Sequence, residues 1–130
     1  MDWLKKLSFY AMVTIQQEGK KDLCLLSAEY VLEGNNNTIR CEGGKGKLIL
    51  RGGSHNEVDA KGWVVTVQGN NNVVRHAKQV SLVGNHNSAY DCDTIGVVDG
   101  KNNYIDVHHH AFGTMTMTFG SDGMTMKKPK

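Results

Sequence analysis

The sequence predicts an all-β, single-domain β-solenoid of about five rungs with a capping segment at each end. Three observations lead there. A motif of the form G-x-[N/H]-N-x-apolar occurs five times, starting at Gly34, Gly53, Gly69, Gly84 and Gly100, so the period is about 16 residues after a longer first unit. A short apolar run precedes each copy, with alternate positions apolar in most of them, which is the period of a strand with one buried face. Glycine (15) and asparagine (11) are abundant while proline occurs once, a bias towards turns that recur in an ordered way. At 130 residues the chain holds one domain with a real core and is too short for two.

Three segments follow in order. Residues 1–28 are expected to cap the first rung, with a short helical stretch around Asp2 to Leu7, an alternating run through Phe9, Ala11, Val13 and Ile15, a polar turn, and Leu23 to Leu26. An open sheet edge invites pairing with other chains unless it is covered. Residues 29–107 are the solenoid. Tyr30 and Leu32, Leu48 and Leu50, Val65 and Val67, Val80 and Leu82, then Gly96 and Val98 are assigned inward before each turn, and Ile39, Val58, Val74, Ala89 and Ile105 inward after it. A coil that stacks each repeat on the last brings Asn37, Asn56, Asn72, Asn87 and Asn103 into one column about 4.8 Å apart. Their amides are expected to bond to one another along the column. The column Arg40, Asp59, Arg75, Tyr90 and Asp106 alternates in charge for three rungs and is expected to form cross-rung ion pairs. Residues 108–130 form a C-terminal hairpin, with apolar residues at alternate positions on both sides of Gly120-Ser121-Asp122-Gly123.

Charge and cysteine content narrow the function. A net charge of +2 with 22% charged residues gives no electrostatic footprint for nucleic acid or an acidic membrane surface. Cys24, Cys41 and Cys92 are an odd set without C-x-x-C spacing, so neither a disulfide framework nor a zinc knuckle is expected. No signal peptide or membrane span is read in the N-terminal run, and the expected location is the cytoplasm or a virion. The glycine-rich stretch 41–47 fails as a phosphate loop, because Cys41 and Leu48 stand where Gly and Ser or Thr are needed; it reads as a basic bulge absorbing the extra residues of the first rung. Asn36-Asn37-Thr38 matches a glycosylation acceptor by accident.

His108-His109-His110 is the one dense ligand cluster. On a strand His108 and His110 share a face, where two imidazoles can hold a transition metal, and three such pairs in a trimer give six ligands around an axis; the alternative is a solvated connector. Cys41, His76 and Asp91 occupy equivalent places, four residues after the ladder asparagines, and suggest a nucleophilic set. Two rung spacings, about 9.6 Å, separate Cys41 from His76, which favours ordinary buried or corner positions.

The run from Val64 to Val107, with V-V-T-V-Q-G-N-N-N-V-V, V-S-L-V-G-N-H-N-S and I-G-V-V-D-G-K-N-N-Y-I, resembles a family of small bacterial envelope proteins built from V-T-V-x-G-x-x-N-T-V repeats. The resemblance spans residues 29–107. That family has no established activity, so no catalytic residue is implied, and its members usually carry a secretion signal or lipid anchor, which is not read here. The tail, G-S-D-G-M-T-M-K, is similar to the closing strands of trimeric β-helical spikes in phage tails and contractile injection systems, some of which hold an apical iron on paired histidines. The expected function is therefore a non-enzymatic structural or binding module that meets a protein partner or itself through its edges or hairpin. The alternatives are a trimeric spike-tip or virion component and a small polysaccharide-binding or polysaccharide-acting protein.

Overall fold

The computed structural model describes residues 12–109, 113–120 and 123–127, with side chains through residue 107. It is a β-solenoid without helix among those residues. The six odd-numbered strands up to β11 are β1 (Val13–Gln16), β3 (Glu29–Glu33), β5 (Lys47–Ser54), β7 (Val64–Asn70), β9 (Gln79–Asn85) and β11 (Thr94–Asp99), and they form one sheet in that order. The second sheet contains β2 (Leu23–Leu25), β4 (Thr38–Cys41), β6 (Glu57–Asp59), β8 (Val73–Arg75), β10 (Ser88–Cys92) and β12 (Asn103–His109), then β13 (Gly113–Gly120) and β14 (Gly123–Lys127). All pairings are parallel except β12–β13 and β13–β14, which are antiparallel. Each rung is one strand from either sheet, which makes six rungs against the five turn motifs.

The core lies between the sheets. Leu48, Leu50, Val65, Val67, Val80 and Leu82 from the first sheet and Val74, Ala89 and Ile105 from the second are fully inaccessible, as the alternation requires. One inward assignment fails. Ile95 pairs with Val80 and Val98 with Leu82, so β11 carries an extra residue; Gly96 and Val97 bulge outward and are exposed. The Val97 amide donates to the Ser81 hydroxyl at 3.0 Å, and a side chain at 96 would collide with that hydroxyl.

At the corner joining the two sheets, the five motif asparagines are buried to 1% exposure or less. Each Oδ1 accepts the backbone N–H of the equivalent residue one rung earlier, from Lys20 to Asn37 (2.9 Å) and then along the column to Asn103 (3.0 Å each). Each Nδ2 donates to a carbonyl of that same earlier rung, Gln17, Gly34, Gly53, Gly69 or Gly84, at 2.7–3.0 Å. Side chain to side chain bonds join only Asn56 to Asn72 and Asn72 to Asn87, so the column is chiefly a side-chain-to-backbone brace and not the amide-to-amide ladder expected. The motif glycines face the same carbonyl column: a Cβ on Gly69 would overlap the Gly53 oxygen.

This wiring explains the extra rung. Both backbone partners of every motif asparagine lie in the rung before it, and the first described rung, with Gln17 and Lys20 at the glycine and asparagine places, enters the column only as the partner of Asn37. The stretch from Val13 to Leu25, within the segment read as a cap, stacks in register on β3 and β4.

The opposite corner is irregular. Residues 42–46 make a connection two residues longer than 26–28 below it, and Gly52 adds a bulge in β5; together these absorb the extra length of the first unit. Trp63 is wholly buried there, stacked on Tyr30 (centroids 5.9 Å, 15°), donating to the Glu42 carbonyl at 3.1 Å and lying against Gly46.

Candidate functional site

One residue before each motif asparagine the backbone is left-handed: φ is 60° at Asn36, 59° at His55, 58° at Asn71, 59° at His86 and 58° at Asn102. The first rung has Gly19 there at 62°. The left-handed region is cheapest for glycine and admits asparagine and histidine better than most residues. All five side chains are exposed, and none exchanges a hydrogen bond with another described residue. The preceding residues differ: Asn35, Asn70 and Asn85 each accept a backbone N–H of the next rung at 2.8–3.0 Å.

Thr38, Glu57 and Val73 stand beside the left-handed column on the outer face of the second sheet. The two columns enclose an open groove of about 370 Å³ lined by Asn36, Thr38, His55, Asn56, Glu57, Asn71 and Val73. The outer column continues through Ser88 to Tyr104, which meets Tyr90 at 5.5 Å with the rings tilted by 46°. The Arg75 guanidinium lies 5.6 Å above the Tyr90 ring, a cation–π contact. Sequence reading missed this array. Its signal was the [N/H] position of the motif, where Asn, His, Asn, His, Asn alternate and their side chains bond no other described residue.

The charged column keeps its register but not its expected pairs. Arg40 bonds Glu42 at 3.0 Å and approaches Asp22 at 3.7 Å, while Asp59 takes His76 instead of an arginine. His76 Nδ1 is 2.9 Å from Asp59 Oδ1 and its Nε2 is 3.7 Å from Asp91 Oδ2, so one imidazole spans carboxylates on the rungs below and above. Both His76 and Asp91 are left-handed, at 64° and 53°. Asp91 is the extra residue that shifts the β10–β12 register. Cys41 is buried, and burial pushes its thiol up to about 12, so it is a protonated packing group and not a thiolate nucleophile. His76 turns both ring nitrogens to carboxylates, and the Cys41, His76 and Asp91 set is not assembled. Burial likewise raises Cys92 to about 11; Cys24 is exposed.

His108 pairs opposite Thr114 in the β12–β13 register, but its side chain, and all of His110, lie outside the described residues. Among the described residues no group of three or more His, Cys, Asp or Glu is placed to hold a metal ion, and no helix is long and apolar enough to cross a membrane. Comparison of the chain with protein-family models, with curated proteins and with solved structures gives no match.

Proposed function

We propose that this chain is a non-enzymatic binding module whose contact surface is the left-handed column and the groove beside it. One observation carries the reading. The solenoid uses its glycines, its motif asparagines and most of the residues between them for its own contacts, yet it holds five exposed polar side chains, unbonded to any described residue, at left-handed positions whose backbone glycine also fits. Such positions point to a role outside the fold. The balanced charge speaks for a partner other than nucleic acid, and a cytoplasmic or virion location belongs to the same reading.

The test is retention of a mixed panel of soluble peptides, oligonucleotides and glycans on immobilised protein. At least one class should be retained and eluted with unchanged mass, and retention should fall at least tenfold in the double variant His55→Gly, Asn71→Gly. Glycine fits the left-handed backbone, so the variant removes the side chains and keeps the corner. Ligand eluted in cleaved form, or retention indifferent to the variant, overturns the proposal.

A second reading, a trimeric spike-tip or virion component, is favoured by the antiparallel β13–β14 extension, which gives the second sheet eight strands against six in the first. In the first sheet β11 is then an edge strand, with Val97 61% exposed, where a partner or a second copy can pair. Light scattering decides: a stable trimer carrying about one transition metal per three chains, lost on His108→Ala with His110→Ala, supports the spike, and a monomer removes it.

A further inference from the structure

We infer that the groove binds an extended, neutral carbohydrate chain, laid along the solenoid axis with its hydroxyls on the left-handed column and a sugar face on Tyr104. The inference rests on the binding reading and names its ligand class.

Periodicity is the first argument. Asn36, His55, Asn71, His86 and Asn102 repeat once per rung, about 4.8 Å apart, so their matching ligand is a polymer with polar groups at nearly that interval. An extended β-linked hexose chain advances by close to one strand spacing per sugar. The amides and imidazoles both donate and accept, as does Thr38, which suits hydroxyl groups that do the same.

Charge is the second. Glu57 is the one formally charged side chain lining the groove, and no lysine or arginine lines it. In the adjacent column Arg40 is engaged by Glu42 and Asp22, and Arg75 lies over Tyr90. A polyanion such as nucleic acid or an acidic polysaccharide lying in the groove would meet the Glu57 carboxylate and no lining lysine or arginine. A peptide adding as a strand needs an open sheet edge, whereas this groove runs across the strands, along a corner whose backbone groups are already bonded from rung to rung.

The third is the aromatic end. Tyr104 continues the Thr38, Glu57, Val73, Ser88 column, and its ring, tilted against Tyr90, whose own ring carries the Arg75 guanidinium, puts an aromatic group in line with the groove. Aromatic faces with a polar rim are suited to ligands with one apolar and one wet side, as a pyranose has.

Affinity electrophoresis of the full chain through gels containing hydroxyethylcellulose, mixed-linkage β-glucan or galactomannan tests the inference, with alginate as the polyanion. Retardation is expected in at least one neutral gel and not in alginate. It should weaken at least tenfold in the His55→Gly, Asn71→Gly variant and in Tyr104→Ala, and stay unchanged in Thr66→Ala on the opposite sheet; melting curves confirm that each variant is folded. No retardation in any neutral gel, equal retardation of wild type and variants, or stronger retardation in alginate overturns the inference. The outcomes separate the two proposals: a peptide retained through His55 and Asn71 without any glycan leaves the binding module standing and removes the carbohydrate, while a neutral glycan that is bound and shortened does the reverse.

Discussion

The two corners of each rung solve the same problem in opposite ways. At the Gly–Asn corner every rung after the first uses one solution, an amide that bonds an N–H and a carbonyl of the rung before, and the column stays in step from Asn37 to Asn103. At the other corner the connections vary from one residue, at 93, to five, at 42–46, and the buried groups vary with them: Trp63 beside residues 42–46, Ala60 and Ala77 in tighter turns, Cys41 and Cys92 at strand ends. Register is set at the uniform corner, and changes of length are taken up at the irregular one or as bulges in the strands. A chain can therefore gain or lose residues on one side without slipping on the other.

Substitutions at the two corners test that division. Trp63→Ala should cost most, about 3–5 kcal/mol, because it empties a wholly buried site and leaves the Glu42 carbonyl with the Ser27 hydroxyl as its one remaining side-chain donor. Hydrogen exchange should rise in residues 42–46 while the asparagine corner stays protected; a uniform rise would show that the corners are not independent. Asn72→Ala should follow at about 3 kcal/mol, since it orphans the Asn56 N–H and the Gly53 carbonyl and breaks two amide contacts. Asn103→Ala removes only two bonds and should cost about 1–2 kcal/mol, and equal losses in thermal melts would break the column model.

The buried thiols come next. Their folded values, about 12 and about 11, lie above the ordinary 9, so the unfolded chain gives up its thiol protons first. The stability they contribute is complete below about pH 9 and is lost as pH rises towards the folded values, amounting to about 2 kcal/mol per thiol near pH 10.5. Replacing Cys41 and Cys92 with Ala should flatten that alkaline fall, and in native protein a thiol reagent should titrate Cys24 alone. Smallest of all, Gly44→Ala, whose Cβ would meet nothing within 4 Å but must accept a left-handed backbone at φ 74°, should cost about 1 kcal/mol. Deletion of Asn70 at the uniform corner should prevent folding, because it throws the later rungs out of register.

Legibility followed the same division. Repetition made the Gly–Asn corner and the inward residues such as Val65, Val67 and Leu82 readable, because periodicity reports what every rung needs. Trp63 and the Asp91 and Gly96–Val97 bulges occur once each and leave no period behind. The first described rung went uncounted because Val13 to Leu25 carry no copy of the motif and take part in the column only through the bonds that Lys20 and Gln17 make to Asn37. The charge column misled because long side chains choose partners off the column: Arg40 found Glu42, and Asp59 found His76. The left-handed residues were present in the motif, but only φ distinguishes a corner residue held for the fold from one held for something else.

The side-chain-to-backbone bonds of the five buried motif asparagines all run to the rung before, and this gives the molecule a sense of assembly. As the chain emerges from a ribosome, N-terminal end first, each new turn carries in its own sequence the group that fastens it to the structure already made, and it waits for nothing still to be synthesised. A nascent chain interrupted after any turn already has its last asparagine engaged, whereas loss of the first turn would leave Asn37 facing solvent with both partners gone. Growth is therefore vectorial, and of the six described rungs the first is the one without a fastening asparagine of its own.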